Sequence, residues 1–270
     1  MDFEQIPEIW KRVVVVDFLR YFIFASGSYL LIWVILRKPL EHLIIQKKLP
    51  SLKRKLSEFA YSMSTVLIFS MIGTCIHYAK KNGGTGIYAE VSEYGWPWVF
   101  ISLAIMILFH DCYFYWTHKW MHHKSVFKYV HKVHHQSTNP SPWAAYAFHP
   151  LEAVVQAGVF PILIFSLPLH SIAIFSFLIY MITRNVMGHL GFELFPKNFV
   201  SSKWINWHTT TTHHDMHHKH FNANYGLYFS WWDRWMGTEH EAYQETYNEV
   251  KSRKSQDRRV KKAIVSTPSA

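Results

Sequence analysis

Charge and cysteine are what this 270-residue chain has little of. Only 17% of its residues are charged while 50% are hydrophobic, a balance that does not suit a water-soluble enzyme. The two cysteines, Cys75 and Cys112, fall in apolar stretches and exclude a disulfide-stapled extracellular fold. They also leave no iron–sulfur site and no Cys-x-x-Cys-His haem attachment. No repeat or low-complexity tract appears, and no cleavable leader is evident, so the first apolar run reads as a retained span. Acids are fewer than bases, 18 against 28, giving a formal charge of +10. The bases gather at 37–55, 119–132 and 251–262. The first two groups flank long apolar stretches, the third reads as a solvated tail, and no nucleic-acid motif accompanies them. No nucleic-acid partner is expected.

Aromatic residues are plentiful, with 12 Trp and 15 Tyr, types that collect where an apolar interior meets a wet interface. A spanning helix needs about 20 mostly apolar residues. Three stretches qualify, at about 13–36, 61–78 and 96–116. Asp17 and Arg20, three residues apart near the start of the first, can pair or reach the interface. The almost continuously apolar run 151–187, broken by Ser166 to His170, reads as a hairpin that enters the bilayer and returns without fully crossing. The expected fold is therefore all-α: an integral membrane helical bundle of four or five segments with a histidine-rich helical cap. The loop 37–55 carries seven Lys and Arg against Glu41 alone, which marks it as cytoplasmic. Counting spans from there brings 118–135 and 189–218 to the same face.

Those segments hold most of the 19 histidines. His118 and His122 stand at i and i+4, so both rings leave one face of a helix and can reach one ion. His131, His134 and His135 form an H-x-x-H-H run, and His214, His217 and His218 repeat it. Each run offers three ring nitrogens along one helical face. A single such pair is more often a solvated or packing patch, but three of them in one membrane protein point to metal. Imidazole suits Zn, Cu, Fe or Ni, and eight histidines exceed the needs of one tetrahedral ion, so two ions are implied. Asp111, Asp215 and Glu193 are the acids expected to bond the outer ring nitrogens.

His110-Asp111, the run from Tyr115 to His123, His131 to His135 and Phe148-His149-Pro150-Leu151-Glu152 together resemble the sterol desaturase branch of the fatty acid hydroxylase superfamily. So do His214 to His218, Asn224-Tyr225-Gly226, Trp232-Asp233-Arg234 and Gly237-Thr238. The likeness covers about 96–238 and leans toward sterol C-5 desaturases; the first 90 residues match only as spans. It implies two non-haem iron ions facing the cytoplasm, held by the three boxes, with O2 as co-substrate. A separate electron donor, such as a cytochrome b5-like or ferredoxin-like protein, is implied as a partner. It also implies a ligand at the Gly188 to Gly191 turn, namely His189, with Asn185 one helical turn earlier as a second candidate. The substrate would be a sterol or fatty-acyl lipid and the host an endoplasmic reticulum or bacterial inner membrane. Residues 1–94 would supply spans and loops, 95–245 the catalytic domain and 246–270 a basic tail.

The remaining histidines are assigned by position. His110, in the third span beside Asp111, is a candidate to support the site; His208 and His213 flank the third box as possible ligands or proton carriers. His149, before Pro150, is expected to shape a turn, and His42, His77, His170 and His240 look unconnected. Gly84-Thr85-Gly86 through Ala89 fits the letters of a dinucleotide fingerprint but has no strand before it. A metal transporter is the rival reading, yet it would spread ligands along the spans at mid-membrane depth, whereas these gather just beyond span ends.

Overall fold

A computed structural model of the chain describes residues 3–266, with side chains described for residues 4–254. Helix α1 (Ile6–Ser28) runs on as a π-helical stretch, Tyr29–Ile35, and is followed by a short α2 (Arg37–Leu40). Helix α3 (Leu52–Lys81) and helix α4 (Gly95–Met121) come next. Among the described residues, four helical stretches are long and apolar enough to cross a membrane: Ile6–Ile35, Leu52–Lys81, Gly95–Met121 and Ser171–Gly188, the last being α9. Their outward residues are apolar, among them Val16, Ile23, Phe100 and Phe175, each 60% exposed or more, which suits lipid rather than water. The helices outrun the apolar segments that nucleate them. Helix α3 starts nine residues before the apolar run, where Ser51 accepts a hydrogen bond from the Arg54 amide and caps the polar turn. Helix α4 continues past the apolar run and so carries His118 on its last turns.

Asp17 and Arg20 pair at 2.9 Å, as their spacing predicts. Because α1 begins at Ile6, they sit well inside the helix rather than near its end. Short helices α5 (Lys124–Val130) and α6 (Lys132–His135) lead from α4 toward the hairpin, formed by α7 (Pro150–Ala157), α8 (Val159–Ser166) and α9. His149 caps α7 by accepting from the Leu151 amide, the turn-shaping role its position suggests.

The hairpin corrects the sequence reading of its depth. Its tip, β2 (Leu169–His170), pairs in parallel with β1 (Ile87–Tyr88) in the loop between α3 and α4. The indole of Trp98 donates to the Pro168 carbonyl and His170 bonds the Ala89 carbonyl, tying the same two segments. The hairpin thus runs the whole depth of the bundle, from the histidines to the opposite end. Buried Val99, Met106, Leu163 and Phe177 pack α4 against α8 and α9, while Tyr21, Val66, Tyr146 and Ile182 pack α1, α3 and α9. The basic loop lies at the histidine end: Gln46 reaches Asp215, Arg54 reaches Gln136, and the Ile45 amide bonds the Gly191 carbonyl.

Helix α10 (Thr211–His220), a one-turn α11 (Trp231–Trp235) and α12 (Tyr243–Ser266) complete the cap. The expected tail is not free where it begins. Tyr247 and Val250 are buried, Lys251 bonds the Glu193 carbonyl at 3.0 Å, and Arg253 donates to the Ile44 carbonyl. An apolar Tyr and Val one helical turn apart among the bases give α12 a packing stripe. The side chains of 255–270 lie outside the described residues.

Candidate metal centre

The last turns of α4, the α5–α6 segment, the end of α9 and helix α10 bring nine imidazoles together. They form two groups. His118, His122, His131, His135 and His217 place one ring nitrogen each within 4.8 Å of one another, and His134, His189, His214 and His218 do the same. All are buried except His122, which is half-buried. The groups adjoin, with ring centroids 4.9 Å apart for His135 and His218 and 5.2 Å for His131 and His134.

Each H-x-x-H-H run is divided between the two groups, contrary to a reading that gives each run one shared face. The i, i+4 pairs His131/His135 and His214/His218 stay together, because their side chains are stacked on one helical face. His134 and His217, each about 100° round the helix from its neighbour, cross to the other group. The two runs therefore exchange one histidine each, and neither group can form without both.

Ring orientation shows which nitrogens face inward. The Nδ1 atoms of His118, His189 and His217 lie 2.8, 2.7 and 2.6 Å from the carbonyl oxygens of Tyr225, Asn185 and Ala223. A carbonyl can only accept, so these Nδ1 atoms carry the proton and leave bare Nε2 lone pairs pointing inward. Those lone pairs meet other ring nitrogens: His118 faces His131 at 3.0 Å, His217 faces His135 at 3.0 Å, and His189, His214 and His218 form a triangle with sides of 3.1 to 3.2 Å. His122 Nε2 is buried with no hydrogen-bond partner. Crowded lone pairs repel unless a cation lies among them. Two nitrogens on one ion, each about 2.1 Å from it at roughly 90–110°, would stand about 3.0–3.4 Å apart. The donor set thus fits two first-row metal ions, one per group.

Burial, and secondly the neighbouring rings, hold His131, His134, His135, His214, His217 and His218 well below the ordinary histidine range. Burial lowers His189 and His213 to about 4. These rings stay neutral, the form a metal requires. Above pH 6.5 folded and unfolded chains are both unprotonated at these sites. Below it the unfolded chain takes up protons that the folded one refuses. These rings therefore contribute stability to the metal-free protein that is present above about pH 6.5 and lost toward pH 4, while Asp215, which burial raises to about 7, and Glu193, raised likewise, act in the opposite sense. The stability difference between the wild type and His213→Gln, read from melting in detergent, should shrink from pH 7 to 4, and a constant difference would contradict this.

The supporting acid is Glu152 of α7, whose carboxylate lies 2.7 Å from His131 Nδ1 with both side chains buried. None of the three acids expected in that role bonds one of the nine rings. Asp111 instead accepts from the amides of Tyr228 and Phe229 and the Trp231 indole. Glu193 accepts from the Thr212 amide and hydroxyl and the Phe195 amide, capping α10, and Asp215 accepts from Gln46. Their side chains are spent on holding loops and helix ends that carry the ligands. The signal for Glu152 was its place as a carboxylate in an otherwise apolar hairpin.

The other candidates are placed as follows. His110 bonds the Tyr228 hydroxyl at 2.8 Å, His213 stands 3.5 Å from Asp233, and His208 stacks on Trp207; none joins either group. The Asn185 amide donates to the Ala145 carbonyl while its backbone oxygen orients His189. Residues 223–226 were invisible as a site because they act through backbone carbonyls. Asp233 clamps them by accepting from the amides of Tyr225 and Gly226 and from the Thr238 hydroxyl. A Cβ on Gly226 would stand 2.5 Å from the Phe229 carbonyl oxygen and 2.9 Å from the Asp233 carboxylate. Gly226→Ala should therefore cost about 1–3 kcal/mol, visible as a lower melting temperature; an unchanged melting curve would count against the clamp.

Comparison with known proteins follows the same residues. The family model described as fatty acid hydroxylase matches residues 103–238. A Delta(7)-sterol 5(6)-desaturase of Aspergillus fumigatus is 32% identical over 196 residues, 67% of this chain and 61% of the relative. One of Gibberella zeae is 30% identical over 182 residues, 67% of this chain and 54% of the relative. The lathosterol oxidase of Mus musculus is 28% identical over 220 residues, covering 80% and 69%. The chain spans between about half and two thirds of the length of most of these relatives. No solved structure matches. The family model takes in half of the chain, including both H-x-x-H-H runs and the Asn224 to Thr238 clamp, and the chain belongs to the fatty acid hydroxylase family.

Proposed function

We propose that this chain is a membrane-bound oxidoreductase that hydroxylates or desaturates a C–H bond of a sterol or fatty-acyl lipid. In this reading O2 and electrons from a separate donor are consumed at two iron ions. The observation that carries the reading is the set of inward Nε2 lone pairs in two adjoining groups. His118, His122, His131, His135 and His217 would hold one ion; His134, His189, His214 and His218 would hold the other, with Asn185 the further candidate beside His189. The names of the relatives, desaturase and oxidase, favour a redox-active ion over zinc among the metals that imidazole accepts, and the family resemblance favours iron.

Bound iron would supply the oxidising power that no side chain possesses. The chain's own contribution is placement and exclusion. The Tyr225, Asn185 and Ala223 carbonyls hold three rings as Nδ1–H tautomers, and the Glu152 carboxylate orients a fourth. Buried Phe148, packed on His134, and Phe114, packed on His118, keep water from the rings. We place this end of the bundle on the cytoplasmic side of an endoplasmic reticulum or bacterial inner membrane, with the basic loop 37–55 beside it for an acidic cytochrome b5-like or ferredoxin-like donor. Residues 95–245 would carry the catalysis and 1–94 two of the spans.

The test is reconstitution of the purified chain in nanodiscs with iron, a reducing partner and separate sterol and acyl lipids, followed by mass spectrometry. An oxygen-dependent gain of 16 mass units or loss of 2 on one lipid class is expected. Metal accumulation in sealed vesicles without lipid oxidation would favour the transporter reading instead.

A further inference from the structure

We infer that an apolar cavity in the bundle is the binding site for the hydrocarbon tail of the lipid substrate, entered from the bilayer beside α1. This rests on the proposed lipid oxidation for the identity of its occupant. The cavity has a volume of about 210 Å³ and is bounded by α1, α3, the α7–α8 segment and α9. Its wall is apolar apart from the ion-paired Asp17 and Arg20, which together bring no net charge. Apolar cavities of even about 150 Å³ stay dry and take apolar ligands.

Two smaller cavities lie between it and the histidines. Phe69 and Phe160 line both the large cavity and one of about 20 Å³, whose wall includes Phe148, the ring packed on His134. Asn185 and Leu227 line that cavity and a third of about 10 Å³, which His214 borders. The sequence of walls can be followed along α9, from Ile174 through Asn185 to Gly188. At 1.5 Å per residue the path is roughly 20 Å long, the scale of a lipid tail rather than of a solvent channel. Phe69 and Phe160 separate the large cavity from the small one as a narrowing that a tail passes only when these rings turn aside.

The entrance lies beside α1. Val13 packs on Gly73 of α3 so closely that a Cβ there would come within 3.1 Å of Val13 Cγ1, which closes α1 against α3 at that level, and Val16 lines the cavity on the other side of the contact. Val16 is 60% exposed to the lipid side. The tail would therefore enter sideways from the hydrocarbon core and lie in the cavity, while the reacting carbon sits past the narrowing and the polar end remains at the histidine end of the bundle.

Photolabelling in nanodiscs tests this without requiring turnover. The probes are cholesterol with a diazirine at the end of its side chain, cholesterol with a diazirine on its ring system, and palmitate with a terminal diazirine. Labelling of segments 69–76 and 157–178 by at least one tail-end probe is expected, and which one responds identifies a sterol or an acyl tail. The ring probe should label them at least about fivefold less, and Ile174→Trp, which fills the cavity, should reduce tail labelling by about fivefold or more. Ile162→Trp, on the lipid-facing side of α8, should not. Equal labelling by ring and tail probes, labelling confined to outward faces, or no effect of Ile174→Trp would overturn the assignment. Labelling as expected in a protein that oxidises no lipid would sink the proposed function and leave the cavity standing.

Discussion

His189→Ala should empty one of the two metal positions and abolish lipid oxidation. His189 is the only member of its group outside the histidine boxes, and its Nε2 lies within 3.4 Å of the Nε2 atoms of His134, His214 and His218. Removing it leaves three rings around a water-filled gap. Even the loss of a group that only orients a ligand costs about 10–100-fold in affinity or activity, so removing the ligand itself should cost about 100-fold or more. Iron measured by elemental mass spectrometry should fall from about two ions per chain to about one. His208→Ala is the contrast, since that ring only stacks on Trp207; its activity should stay within about twofold. Full iron content and activity in His189→Ala would show that the second group is not a metal site.

The second large effect is expected at Glu152, a positioning residue that acts through His131. Glu152→Ala removes the acceptor of the His131 Nδ1 proton in a fully buried site and should weaken iron binding in the first group by about 10–100-fold. Glu152→Gln keeps an oxygen acceptor but not the charge, so it should recover part of that loss. A merely structural role predicts parallel falls in melting temperature for both variants with iron affinity unchanged. A positioning role predicts that iron affinity ranks wild type, then Gln, then Ala, whatever the melting temperatures do. Chelator competition followed by the iron absorption spectrum separates the two.

These predictions concern residues of different legibility. The i, i+4 spacing of His118 with His122 predicts two rings on one helical face, and the structure keeps them in one group. His189 was legible through family resemblance, as a histidine at a helix end. Glu152 stood in the sequence as a lone carboxylate among apolar residues, but nothing local linked it to His131, twenty-one positions away. The acids that seemed better placed, Asp111 beside His110, Asp215 beside His214 and Glu193 four residues after His189, point instead to backbone amides, a hydroxyl, an indole or Gln46. Proximity along the chain is a poor guide to which side chain a carboxylate meets.

The sequence by itself determined the apolar helices, the histidine spacings and their common end of the bundle, because hydrophobic length and helical periodicity are properties of consecutive residues. Tertiary structure decided that the hairpin reaches the far loop, that His134 and His217 change groups, and that carbonyls of Tyr225, Asn185 and Ala223 set the tautomers. A carbonyl is the same in every residue and carries no signature in the sequence. Which histidine joins which group depends on where α9 and α10 lie beside α6, and that is fixed only when distant helices pack.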